Sequence, residues 1–241
     1  TMLLSGIMLK MGIYSVLRWI IPIVPEAVET HTPLIIALSI TGVVYGAWIA
    51  IKQKDLKTLF AFASMSHVGL IVAGLFTASE SGLQGVLFQS FSHGINAIGL
   101  FYVADIVQNR FGNRTIDGKG GIRLAAPVFA TLFVLVLLGT VALPLTNGFA
   151  GEFLLLVGIS EYSIAASAVA GLTVIFSAVY MLRSYQHLVL GPAGTQTAFS
   201  DLRLTEMVIL AVIVVAIFAL GVYPKALLDL SAPTIQTLLN R

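Results

Sequence analysis

The chain has 241 residues, 58% of them hydrophobic and only 10% charged, with a mean hydropathy of +0.98 and no cysteine. A soluble domain is roughly 45–50% apolar and about 25% charged, so this composition excludes a water-soluble globule, and it excludes a disordered chain for the same reason. The missing cysteine rules out a disulfide scaffold, a thiolate cluster and a cysteine nucleophile, and a formal net charge of +2 offers nucleic acid no purchase.

A membrane-spanning helix needs about 20 mostly apolar residues. Taken in chain order, the apolar runs predict an all-α polytopic membrane protein with about seven transmembrane helices, at about 2–21, 32–51, 56–77, 82–107, 124–160, 163–190 and 203–222. The fifth run is too long for one span and carries Pro144 and Gly148 in the segment LPLTNG, which predicts a discontinuous helix of 124–143 and 149–160. Residues 1–222 then form one transmembrane domain. The remaining 223–241 are too short and too mixed to span, but Leu227, Leu228, Ile235, Leu238 and Leu239 fit the apolar face of an interfacial helix. The chain starts inside an apolar run, as expected of a piece of a longer protein.

Charge placement sets an expected orientation. Lys52, Lys54 and Lys57 follow the second span; Arg110, Arg114, Lys119 and Arg123 follow the fourth; Arg183 and Arg203 flank the loop after the sixth. The alternate loops carry Glu26, Glu29, Glu80 and Glu161 without Lys or Arg. The positive-inside rule makes the first set cytoplasmic, and an odd number of spans puts the C-terminus on the other side.

An ionisable side chain in the middle of a membrane costs about 2.5–3.5 kcal/mol on insertion scales, and such groups mark pathways. Lys10 lies mid-span in the first run, His67 in the third, His93 in the fourth, and Glu152 just beyond the break in the fifth. Gln89, Ser92, His93 and Asn96 recur at i, i+3, i+4 and i+7, on one helix face. Lys57, Ser64 and His67 share a face of the third helix, with Lys57 about 15 Å along the axis from His67. Such stripes face each other rather than lipid. Histidine titrates near pH 6.5 when unperturbed, and burial favours the neutral form of lysine and carboxylate alike, so this set can exchange protons. Lys57 and Ser64 are the expected uptake end. A broken helix beside buried charges is typical of ion-coupled transporters.

The segments LLSGIMLKMGIY, YGAWIAIKQKDLKTLFAFASMSHVGL, FQSFSHGINAIGLF and LPLTNGFAGEFLLL, in this order, resemble the proton-translocating antiporter-like subunits of respiratory complex I. Glutamate in GFAGEF, where the L and N types usually carry lysine, favours the M (chain 4) type. The resemblance covers essentially the whole chain and implies the last seven helices of a fourteen-helix fold. It further implies that Lys10 links two half-channels, that His67, His93 and Glu152 continue the proton path, and that the Glu–Lys pair of the other half-channel lies upstream of Thr1. No cofactor is expected in this chain; flavin, iron–sulfur clusters and quinone belong to partner subunits, with the L and N types as neighbours. The expected setting is a bacterial cytoplasmic membrane, in preference to a mitochondrial inner or thylakoid membrane. A cation/proton antiporter subunit, the membrane subunit of an energy-converting hydrogenase and a non-pumping structural subunit remain open.

Overall fold

The computed structural model describes residues 1–117, 119–191 and 199–239. The glycine-rich stretch 118–123, the loop after the sixth span and the end of 223–241 fall partly outside them. The described residues form α1 (Leu4–Ile23), α2 (Pro25–Lys52), α3 (Leu56–Leu75), α4 (Glu80–Phe111), α5 (Pro127–Thr140), α6 (Asn147–Tyr162), α7 (Ile164–Leu190), α8 (Leu204–Val222) and α9 (Lys225–Leu239), with a single turn at Ile122–Ala125. Five of them, α1, α2, α3, α7 and α8, are long and apolar enough to cross a membrane. At 32 residues α4 is about 48 Å long, and its polar stripe dilutes its hydropathy. The all-helical polytopic fold expected from composition is the fold observed.

Local chemistry sets the helix ends. The Asp55 carboxylate accepts the Thr58 N–H at 2.9 Å and so caps α3. Ser79 caps α4 by accepting from the Gly82 N–H at 3.0 Å, and Gly112 closes it in the left-handed conformation at φ 72°. Pro25 and Pro127 start α2 and α5, where a missing N–H is harmless. α2 starts well ahead of position 32 and runs through Pro33. An apolar count stops where polarity begins, whereas backbone hydrogen bonding continues into the interface.

The discontinuous helix is present, with shifted limits. α5 stops at Thr140 and α6 starts at Asn147. Ala142 and Leu145 take positive φ of 58° and 76°, a strained conformation for residues with a Cβ. Pro144 lies in the break. Gly148 does not: it is already inside α6, where a Cβ would collide with the Gly139 carbonyl. Gly148 is thus a residue of close approach between the half-helices, which corrects its assignment as a breaker.

The bundle holds two apolar plates with a polar layer between them. One plate contains Leu56, Leu59 and Phe60 of α3, Leu100 and Val103 of α4, and Phe129 and Phe133 of α5. The other contains Leu70 and Ile71 of α3, Val86 of α4 and Leu155 of α6. Ser64, Ser66 and His67 fall between them on α3, and Gln89 to Asn96 on α4. α9 packs against α4 at the second plate, with Ile235 fully buried and Leu239 turned outward. The basic loops meet at the opposite end: Leu56 N–H donates to Arg114 O at 3.0 Å, Ile116 N–H to Lys54 O at 2.8 Å, and Lys54 lies 3.6 Å from Asp117. Arg110 grips Glu206 with both terminal nitrogens, at 3.2 and 2.5 Å.

Asp55 ties this end together, since its other oxygen accepts from Arg114 Nε at 3.1 Å. Burial alone would raise its pKa, but hydrogen bonds from Thr58 and the Arg114 charge outweigh burial and hold it below the ordinary value. A depressed carboxyl stabilises the fold above its unfolded pKa of about 3.9, and that contribution is lost as the pH falls through the folded value. Asp55→Ala should therefore cost about 1 kcal/mol at pH 7, and the difference from wild type should shrink on acidification below pH ~4. Thermal unfolding in detergent at several pH values checks this.

Candidate functional site

The polar layer draws on every helix that borders it. Lys10 is flanked on α1 by two π-helical turns, Leu4–Met8 and Val16–Ile20, a local underwinding often found at functional positions. Lys10 Nζ lies 2.6 Å from His93 Nδ1 and also donates to the Ser5 carbonyl. The His93 and His67 rings are 5.7 Å apart between centres, tilted by 50°. His67 Nδ1 is 2.9 Å from Glu152 Oε1, a close polar contact too far off line to be a hydrogen bond. Gln89 Nε2 donates to the same Oε1 at 3.3 Å. Lys10, His93, His67 and Glu152 thus form one file across the middle of the bundle. Its last three members are buried, and Lys10 keeps one flank open to a groove beside Phe91 and Gly94.

Several buried polar atoms of the layer have no partner among the described residues: His67 Nε2, Gln89 Oε1, Asn96 Oδ1 and Glu152 Oε2. Leaving such an atom dry costs about 1–3 kcal/mol. A cavity of about 10 Å³ lies among Ser64, His67, Gln89, His93 and Asn96, polar and of the size of a single water position.

The other residues singled out in the sequence divide by role. Ser92 Oγ donates to Asn147 O at 3.2 Å, and Asn96 Nδ2 donates to Gly139 O at 3.0 Å. Both therefore satisfy backbone carbonyls at the two sides of the break, which is what makes a break tolerable at membrane depth. Ser64 accepts from Ser5 Oγ at 3.2 Å and lines the small cavity. Lys57 does not join the file. It lines a separate cleft of about 370 Å³ at the basic end with Asp105, Gln108 and Arg114. Phe101 lines that cleft and Phe60 the inner cavity, and the two rings stack edge to face at 6.2 Å.

Sequence reasoning missed one polar line. Thr173, Ser177, Tyr180 and Ser184 of α7 are all buried, and Thr173 Oγ1 lies 2.9 Å from Ser66 Oγ, next to His67. Hydroxyls barely lower the hydropathy of a span, so the line is invisible in an apolar count. The spacing i, i+4, i+7, i+11 is the signal that reveals it.

A helical bundle with a mid-membrane file of ionisable groups beside a broken helix is built as ion-coupled transport proteins are. Comparison with known proteins is more specific: the chain belongs to the NADH:quinone oxidoreductase/Mrp antiporter transmembrane family, whose model matches residues 1–179. Within that family it is a homologue of NADH-quinone oxidoreductase subunit M. It is 35% identical over 241 residues to subunit M of Rickettsia bellii, covering 99% of this chain and 49% of that protein. It is 37% identical over 237 residues to subunit M of Mycobacterium tuberculosis, covering 97% and 42%. Among solved structures it is similar to a chain of respiratory complex I from Thermus thermophilus with bound NADH, with a TM-score of 0.88, 33% identity and coverage of 95% of this chain and 49% of that one. The Mrp complex from Dietzia shares the fold, with a TM-score of 0.89 at 20% identity over 99% of this chain and 53% of that chain. The chain spans about half the length of the curated relatives it matches.

Asn96→Leu removes the donor to Gly139 O and should destabilise the protein by about 1–3 kcal/mol, the cost of a buried carbonyl left unsatisfied. An unchanged melting temperature in detergent would show that the break does not depend on this bond.

Proposed function

We propose that this chain carries part of a proton path across a bacterial cytoplasmic membrane, as the M-type membrane subunit of an NADH:quinone oxidoreductase. The observation that supports this best is the unbroken file Lys10, His93, His67, Glu152, whose neighbours lie within contact or ring-stacking distance. Each member can hold or release a proton, and each feels the charge on the next. At about 7 Å and an effective dielectric of 20, one unit charge acts on another with about 2.4 kcal/mol. That is roughly a 60-fold change in proton affinity, enough to switch a group poised near neutrality. Protonating Glu152 weakens its hold on a protonated His67, and a proton arriving on His67 repels one on His93, so the charge on Lys10 and the charge on Glu152 are coupled through the two rings.

In this reading Ser64 and the wetted cavity bring protons toward His67, and Lys57 collects them at the basic end. That end faces the cytoplasm and α9 lies on the opposite face. The groove beside Lys10 adjoins the preceding half of the longer subunit, because a lysine left facing lipid would be costly. Electrons travel elsewhere: flavin, iron–sulfur clusters and quinone belong to partner subunits, and L- and N-type subunits are the membrane neighbours. The identity of 33–37% to subunit M and complex I, against 20% to the Mrp complex, favours redox-coupled pumping over independent cation exchange.

In the assembled complex, Lys10→Ala and Glu152→Gln should each lower coupled proton pumping at least tenfold, a barrier increase of about 1.4 kcal/mol or more. His93→Gln should have a smaller effect, because water and the amide can bridge the gap. Proton uptake by vesicles, measured against NADH oxidation, checks both; full pumping by the first two variants would remove the assignment.

A further inference from the structure

The file ends at Glu152, and the uptake route through Lys57 meets the Phe60–Phe101 pair before it reaches the polar layer. A second polar line avoids that pair. At the basic end, a cavity of about 190 Å³ lies among Lys54, Asp117, Arg183, Ser184 and His187, and Tyr180 also lines it. Tyr180 is about 6 Å deeper than Ser184 along α7. Its ring is locked in the apolar plate at 1% exposure, yet its hydroxyl has no partner among the described residues. α6, which carries Glu152, packs along α7, which carries Tyr180. Beyond Tyr180, Ser177 and Thr173 continue the same face to Ser66 at the level of the polar layer. The two oxygens of Glu152 are also unequal: Oε1 is engaged by His67 and Gln89, while Oε2 has no partner among the described residues.

We propose that the cavity at Ser184 and the Tyr180 hydroxyl form a proton-uptake path from the basic end to Glu152 that bypasses Lys10 and both histidines. The inference rests on the proton-translocation reading and adds an inlet to it. A hydronium ion in the cavity gives its proton to a lone pair on the Tyr180 oxygen and is left as water. Tyr180 passes its own proton, through an intervening water, to the Glu152 carboxylate. The carboxylate ends as a carboxylic acid and the tyrosine ends neutral, its hydroxyl rotating back for the next transfer. Glu152 thereby takes protons on the side away from His67 and can pass them on through Oε1. Tyr180 acts as a relay, which requires the hydroxyl and not the ring.

Tyr180→Phe keeps the ring and removes the relay, and Ser184→Leu fills the cavity from its wall. Both belong in the intact complex in membrane vesicles, beside Glu152→Gln. The expected result is a fivefold or greater fall in the proton-pumping rate for each, with the complex fully assembled and a larger solvent deuterium isotope effect for Tyr180→Phe. A merely structural role for the hydroxyl would leave that isotope effect unchanged. Full pumping and an unchanged isotope effect in Tyr180→Phe, or full pumping in Ser184→Leu, would overturn the inlet. If those variants pump normally while Glu152→Gln does not, only the inlet fails; if Glu152→Gln also pumps normally, the proton-translocation reading falls with it.

Discussion

A carboxylate and two imidazoles buried between apolar plates constrain the rest of this structure. Glu152 sits against His67 in the middle of a bundle that offers it almost no solvent. Such a pair is poor value as a stabilising device, because desolvating both groups offsets most of their attraction and a hydrophobic replacement is often as stable. Its presence must be matched by groups that keep it tolerable. Gln89 supplies a hydrogen bond, and Asn96 and Ser92 satisfy the interrupted backbone alongside. A small cavity beside them has the size of one water position. The break between α5 and α6 belongs to the same solution, since it ends α5 beside the polar layer and starts α6 so that Glu152 points into it.

The two plates have a second consequence. They isolate the polar layer from both membrane faces, so any proton that reaches it needs a lined passage. Two clefts at the basic end approach the layer, one at Lys57 and one at Ser184. The first meets an aromatic pair between the cleft and the layer, and the second leads to a buried hydroxyl. Dryness on either side also strengthens the interaction between neighbouring charges in the file. The same insulation that makes the site expensive therefore lets a proton at one station influence the next.

Much of this was legible in the sequence, for a simple reason. Lys10, His67, His93 and Glu152 are the ionisable exceptions in strongly apolar runs, and the broken helix announces itself through Pro144. Sequence could not supply the order of contact, because whether His93 meets Lys10 or Glu152 depends on how α1, α3, α4 and α6 pack. The role of Ser92 and Asn96 was hidden for the same reason: the carbonyls they satisfy belong to other helices. Gly148 was misassigned because a glycine that breaks a helix and one that lets two backbones approach look alike in one dimension. The hydroxyl line on α7 escaped notice because Thr173, Ser177 and Ser184 are nearly neutral in hydropathy, and Tyr180 reads as an ordinary core aromatic.

The central claim is that Glu152 changes protonation while protons cross the membrane. Infrared difference spectroscopy on the turning-over complex, with and without Glu152→Gln, reads this directly. The expected spectrum shows a protonated-carboxyl band that rises and decays with turnover and is missing from the variant. A wild-type spectrum in which this carboxylate stays ionised throughout active pumping would contradict the account.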